Sequence, residues 1–402
     1  MHILTLTSLF PNPQQPVHAL FIRARMADYA RRYGHRWTVI APVPWFPRLP
    51  FRVSPVYDAY ARVPLREETP HGVVYHPRYL VTPKLGMRWY GDWMSGPAVA
   101  LAREVHARDP VDVIDGHYIF PDGTAAVRAA KALGVPAILS ARGTDLNLYP
   151  GFPAIRARIR RNLEGCDHLI CVCSELANVA RELGMPEGKI SVIGNGVDTG
   201  RFRPGDQAAA RLRLGLPREG RIILSVGHLI ERKGFHLLLE AFAALPQRDG
   251  LTVVIAGGGE WESHLKRMAA RLGIAERVRF PGPVRNEALP DWYNAADIFV
   301  MASSREGWPN AVCEALACGL PVVGTRVWGM PEIVTDAELG ILIGERTGPA
   351  LAGALERALE ARWDRGRIAA RGQERTWEAV SRQLDPLFRA VAGDAAQPAN
   401  ER

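Results

Sequence analysis

Glu306 and Glu314 stand eight residues apart in the run Ser303–Val323, SSREGWPNAVCEALACGLPVV, with Gly-Trp-Pro-Asn between them. The preceding DIFVMASS reads as the end of a strand, and Pro309 suits a first helical turn, where its missing N–H has no partner to lose. The helix is expected to run to about Cys318, with Gly319 ending it and Pro321 just beyond. Val312, Ala315 and Leu316 form its buried stripe, and Glu314 points away from that stripe on the side of Asn310 and Ala311. Glu306 lies in the loop before the helix, so the two carboxylates flank a helix N-terminus from two directions. Such a terminus attracts phosphate through its free N–H groups and its dipole. Carboxylates touching that phosphate would be repelled; they are better placed to accept hydrogen bonds from hydroxyls on either side of it. A nucleotide sugar has that layout.

The elements that must position these residues follow from the apolar rhythm. At 402 residues the chain is too long for one ordinary core and suits two domains. Short β-branched runs, HILTLTS, WTVIAP, VDVIDGH, PAILSARG, HLICVCS and ISVIGNG, alternate with amphipathic segments in the first half. Residues 197–220 break the pattern with Gly, Pro and charge and read as the linker. The rhythm restarts with IILSVGHL, LTVVIAGGG, VRFPG, DIFVMAS, PVVGT and GILI. This is the βαβ pattern of parallel sheets covered on both faces. The expected fold class is α/β: two doubly wound, Rossmann-like domains, residues 1–198 and 199–376, with a cleft between them, and residues 377–402 as a helix packing back on the first. Ligands of open parallel sheets bind outside the carboxyl ends of the strands.

Composition narrows the classes. With 47% hydrophobic and 23% charged residues the chain reads as globular, and every long apolar stretch is broken before 18 residues. MHILTLTSLF lacks a basic start and a small-residue cleavage site and reads as a first strand, which points to a cytoplasmic protein. Of the five cysteines, Cys171 and Cys173 fall on one face of an apolar strand and suit core packing, since no further ligands at metal spacing accompany them. The formal charge of +8 fits nucleic acid, an anionic membrane surface or a phosphorylated substrate; no nucleic-acid motif accompanies it. An irregular insert between APVPWFPRLP and YGDWMSGP interleaves aromatic and basic residues, around Trp45, Phe46, Arg48, Arg52, Arg88, Trp89 and Trp93. Two readings stand for it: contact with the anionic headgroups at the inner face of the membrane, or loops packed on their own domain.

The segment REGWPNAVCEALACGLPVVGTRVWGMPEIV resembles the E-x7-E motif of the retaining glycosyltransferases of family 4, which have the GT-B fold of two facing Rossmann-like domains. The resemblance continues in SVGHLIERKGFHLLLEAF, VVIAGGGE, VRFPGPV, WYNAADIFVMAS, NGVDTGRFRP and DGHYIFPDGTAA, in order and over most of the chain. It implies a hexosyltransferase that moves sugar, with retention, from a UDP- or GDP-sugar to a glycan or lipid-linked acceptor in cell-surface polysaccharide or glycolipid synthesis. By the same resemblance Glu306 contacts the transferred sugar, Glu314 the ribose, and Gly307, Trp308, Asn310 and Ala311 the donor between them. Lys233 and Arg232 balance the departing diphosphate. His228 stands where the family often has Arg, so the second positive group is either His228 or Arg232.

Gly258 in AGGGE would let bare backbone approach the ligand, and Val284 in FPGPV corresponds to the segment that meets the base. His117 matches the family's histidine near the transferred sugar. Arg142 replaces the histidine of the family's His-Gly-x-Asp; it could meet an acceptor phosphate or carboxylate, or pair with Asp145. The loop SLFPNPQQPVHA lacks the Gly-Gly turn that the family places against the diphosphate. With no D-x-D arrangement and with cations already facing the leaving group, no essential metal or other cofactor is expected. Two rivals differ in class: a nucleotide-sugar 2-epimerase of the same fold, and a non-catalytic nucleotide-sugar-binding subunit. Glu306, Lys233 and His117 occurring together speak against a decayed site.

Overall fold

The computed structural model describes residues 1–46, 55–82, 86–246 and 250–394, so Arg48 and Arg52 of the aromatic insert and residues 395–402 of the C-terminal segment lie outside the described residues. The chain forms two compact units, Met1–Asn195 with Trp377–Arg402, and Gly196–Thr376.

The first unit is built on an eight-stranded sheet in the order Ile190–Val192, His168–Cys171, Ala137–Ala141, Val113–His117, His2–Leu6, Arg36–Ile40, Gly72–Tyr75, Arg66–Thr69. Every pair is parallel except the last, a hairpin that edges the sheet with the charged sequence REET. Central strands such as His2–Leu6 and Val113–His117 are buried along their whole length, as strands covered on both faces must be. The insert is more regular than its composition suggested: Val43–Trp45 pairs in parallel with Arg78–Leu80, and helix Tyr90–Arg108 follows. Helix Trp377–Asp394 belongs to this unit, with Val380, Leu384 and Phe388 in the core around helix Leu20–Tyr33 and Ser381 Oγ donating to Asp28 at 2.8 Å.

The second unit carries a wholly parallel six-stranded sheet in the order Val278–Gly282, Leu251–Ala256, Arg221–Val226, Ile298–Met301, Val322–Thr325, Gly340–Ile343. One apolar core lies on each face. Residues 197–220, expected as a linker, are part of this unit. Val197 bridges to Thr376, Phe202 packs edge-on to Tyr293, and Arg211 on helix Gln207–Arg213 is buried against Asp297 at 2.7 Å. The Gly- and Pro-rich composition hid three buried anchors, Val197, Phe202 and Leu216, spaced too irregularly to read as an element. In each unit the strand order reverses once, beside His2–Leu6 in the first and between Arg221–Val226 and Ile298–Met301 in the second. Loops diverge at such a point and leave a crevice at the strand ends.

Candidate functional site

At the switch point of the second unit, the loop after Arg221–Val226 meets the loop after Ile298–Met301. A 3-10 turn, Glu231–Lys233, crosses the end of the neighbouring strand, and the Ser304 N–H donates to Arg232 O at 2.9 Å. Gly234 closes the turn at φ 75°, where a Cβ would stand 2.0 Å from Ala302 O. Only glycine permits that approach. Arg346, which the sequence reading did not single out, ties both loops by donating to Ala302 O at 2.8 Å and Glu231 O at 3.3 Å.

This framework brings Lys233, Arg232 and Glu306 together. Lys233 Nζ lies 2.6 Å from Glu306 Oε1, Ser303 Oγ donates to the same oxygen at 2.6 Å, and an Arg232 Nη lies 3.6 Å away. Glu306 is only 6% exposed. Burial alone would raise its carboxyl, but the Lys233 ammonium, then Arg232 and the hydrogen bonds from Lys233 and Ser303, outweigh it and hold the group below the ordinary carboxylate range. The carboxylate therefore stays charged beside two cations, in reach of whatever sits at the strand ends.

Helix Asn310–Ala317 starts at Pro309 with no side-chain cap, which leaves its first N–H groups without the usual side-chain acceptor. Glu314 is turned differently from the expectation of an open flank: Tyr293 Oη donates to its Oε2 at 2.8 Å. Burial raises Glu314 to about 7, although Tyr293 and Arg201 pull the other way. Tyr293 is wholly buried, and a buried phenol needs a partner; that need, visible in WYNAADIF, is the signal that could have found it.

Other expected donor contacts are placed variously. His228 is exposed at the loop tip. Trp308, Ala311 and Val284 are half-buried against the unit's own core, with the Arg375 guanidinium 5.7 Å from the Trp308 ring centre; Gly307 is buried and Asn310 half-buried. The glycines of AGGGE have a structural cause before any ligand is invoked. A Cβ on Gly257 would lie 1.9 Å from Gly227 O, on Gly259 2.4 Å from Leu229 O, and on Gly258 2.9 Å from Pro283 Cγ. Two strand-end loops pack backbone to backbone there.

In the first unit a second cluster forms at its own switch point. His117, 0% exposed, has Nε2 at 2.8 Å from Asp115 Oδ2 and Nδ1 at 2.5 Å from an Arg142 Nη. A guanidinium only donates, so Nδ1 accepts and the ring proton sits on Nε2 toward Asp115. Burial, opposed by Asp115 and reinforced by Arg142 and Arg25, depresses His117 to about 4, so the ring is neutral. Both ring nitrogens are thus engaged within the first unit, and Arg142 is the half-buried group that covers them.

Arg142 also donates to Asn195 Oδ1 at 3.1 Å. Asp145 is wholly buried and accepts the backbone N–H groups of Ile119 at 3.0 Å, Arg142 at 3.1 Å and Gly143 at 2.8 Å, which clasps the loop. In the loop that lacks Gly-Gly, the Ser8 N–H donates to Asp122, and Asn12 Oδ1 caps the N–H groups of Gln14 and Gln15 at 3.0 and 3.1 Å.

Two family comparisons divide the chain close to the boundary of its units: residues 24–201 match Glycosyltransferase Family 4 and residues 206–375 match Glycosyl transferases group 1. The D-inositol 3-phosphate glycosyltransferase of Frankia alni is 33% identical over 330 residues, covering 76% of this chain and 81% of that protein. The chain belongs to glycosyltransferase family 4. Another relative, D-inositol 3-phosphate glycosyltransferase 2 of Catenulispora acidiphila, is 36% identical over 259 residues, which span 60% of each protein. The fold is GT-B. Anabaena HepE, solved in complex with UDP, superposes with a TM-score of 0.72 at 20% identity over 97% of this chain and 100% of its own.

Proposed function

We propose that this glycosyltransferase moves a hexosyl unit, with retention of configuration, from a UDP- or GDP-sugar to a glycan or lipid-linked sugar acceptor. The observation that carries the reading is the buried Lys233–Glu306 pair, 2.6 Å apart, with Arg232 beside it at the strand switch point and an uncapped helix start just beyond. A diphosphate placed there meets the ammonium, the guanidinium and the positive end of the helix; a sugar meets the Glu306 carboxylate. The UDP held by Anabaena HepE, of the same fold, supports a nucleotide donor.

The leaving diphosphate gains charge as the glycosidic bond breaks, and Lys233 and Arg232 offset that charge without a metal ion. The acceptor hydroxyl attacks on the face from which the diphosphate leaves and gives its proton to the departing phosphate oxygen, so no protein nucleophile is needed. Incubation with labelled UDP-, GDP- and ADP-sugars, with and without acceptor, tests this. Nucleotide release that requires acceptor and yields the retained anomer is expected; an epimerised donor, or binding without turnover, would replace the reading with one of its rivals.

The aromatic insert supports a place at the inner membrane face in polysaccharide or glycolipid synthesis. Trp45, Leu80, Met87 and Trp89 are all exposed, and the Arg88 guanidinium lies 3.8 Å from the Trp89 ring centre. No helix among the described residues is long and apolar enough to cross a membrane. Contact would be peripheral, through aromatic rims and basic charge. Flotation with anionic vesicles and release at high salt are expected; equal flotation with neutral vesicles counts against the contact.

A further inference from the structure

Among the described residues Arg25 is one of the largest fully buried side chains, 1% exposed, and its Nη1 and Nη2 have no hydrogen-bond partner there. A guanidinium cannot shed its charge by deprotonation, so burial without a partner is costly. Each nearby carboxylate is occupied elsewhere. Asp115 Oδ2 takes Thr5 Oγ1–H at 2.9 Å and the His117 ring N–H at 2.8 Å, and Asp145 takes three backbone N–H groups. Asp115 is within electrostatic reach of Arg25 but forms no ion pair with it. A second guanidinium has been brought close instead. Arg142 lies 5.7 Å from the ring centre of Phe21, one helical turn before Arg25 on helix Leu20–Tyr33, and each arginine stands in the other's repulsive field. Arg142 spends its donors on two neutral groups, His117 and Asn195.

We propose that Arg25 and Arg142 form a subsite for one oxyanion of the acceptor, a phosphate or carboxylate, with Arg142 at its half-buried mouth and Arg25 as its floor. Resting on the glycosyltransferase reading, this narrows the acceptor to an anionic one. A buried guanidinium with both Nη atoms unpartnered, within the field of a second guanidinium and with no carboxylate hydrogen-bonded to either, suits the forked geometry of an oxyanion and is poor packing for anything neutral. The subsite lies at the carboxyl end of Val113–His117, where the first unit's strand order reverses, which is where open parallel sheets place ligands.

The test measures binding without turnover. Inorganic phosphate should raise the melting temperature of the full chain by about 3 °C over chloride at equal ionic strength. The rise should persist in the double variant Arg232→Ala, Lys233→Ala, which removes the donor-side cations, and vanish in Arg142→Met and in Arg25→Met. Without phosphate, Arg25→Met should melt no lower than wild type, because it removes an uncompensated buried charge. A merely structural arginine predicts the reverse, since its loss would remove a cation from the field of buried Asp115. Glucuronate in place of phosphate tells a carboxylated from a phosphorylated acceptor, and a rise with either supports the subsite. No rise with either anion, a rise that survives both arginine variants, or one lost in the double variant overturns it. Because nucleotide release is measured separately, a failed transfer assay beside an intact phosphate response would reject the enzyme reading and leave the subsite standing.

Discussion

Replacing Lys233 with alanine is expected to lower kcat by roughly 10²-fold or more while changing the donor KM far less, the scale of a lost electrostatic stabiliser that acts on charge developing in the transition state. The ammonium is already fixed, 2.6 Å from Glu306 Oε1 and held by the turn that Gly234 closes, so no reorganisation is needed when the diphosphate gains charge. The same substitution leaves Glu306 buried with Arg232 at 3.6 Å as its one neighbouring cation among the described residues, beside the Ser303 hydroxyl, to oppose its desolvation. Breaking one side of a buried pair costs about 3 kcal/mol or more, so the variant should also melt lower. Adding Glu306→Gln should restore much of that stability and none of the rate.

Acid acts on the pair from the other side. The folded pKa of Glu306 lies below the open-chain 4.5, so the pair's contribution is complete above 4.5 and is lost as pH falls through the folded value. A Lys233→Ala enzyme changed in KM alone, or a double variant that regains its rate, would contradict the assignment of Lys233 to the leaving group.

Glu314→Gln should raise the donor KM by about 10-fold or more and leave kcat nearly unchanged, as expected for a charge-assisted hydrogen bond made equally in ground and transition states. Wild-type donor affinity should weaken as pH falls below about 7, since burial raises Glu314 to about 7 and the protonated carboxyl is a weaker acceptor for ribose hydroxyls. The glutamine variant should lose that dependence. Tyr293→Phe removes a hydrogen bond that favours the charged form, so the fall should move to higher pH. Calorimetric titration of nucleotide and 2′,3′-dideoxynucleotide across this range reads all three. If the dideoxynucleotide still loses affinity on Glu314→Gln, the carboxylate is not the ribose partner.

Much of this was legible without coordinates. The apolar runs named the central strands because a parallel strand covered on both faces is mostly apolar, as Ile298–Met301 and Leu251–Ala256 are. Lys233 and Glu306, 73 positions apart, could be linked only through the family resemblance, since spacing within one element says nothing about a partner on another strand end. The linker reading of residues 197–220 failed because Gly and Pro mark breaks in periodicity and do not reveal a scattered anchor such as Phe202. The aromatic insert hid regular strands for the same reason: three-residue strands such as Val43–Trp45 and Arg78–Leu80 are too short to show alternation.

By itself the sequence determined the two α/β halves, the order of their strands along the chain, the helix start at Pro309 and the presence of two acids and two cations in the second half, because each is written in local period and composition. Only the tertiary structure decided what those groups do to one another. Glu306 is held anionic because Lys233, Arg232 and Ser303 outweigh its burial, whereas burial raises Glu314 to about 7 because Tyr293 and Arg201 do not outweigh it. His117 is neutral and closed because Arg142 takes its free lone pair, and Asp145 serves backbone because three N–H groups converge on it. Arg25 looks like any surface charge on an amphipathic helix until folding turns it inward. Charge state and access depend on desolvation and on neighbours tens of residues away in the chain, and those quantities exist only once the strands have met.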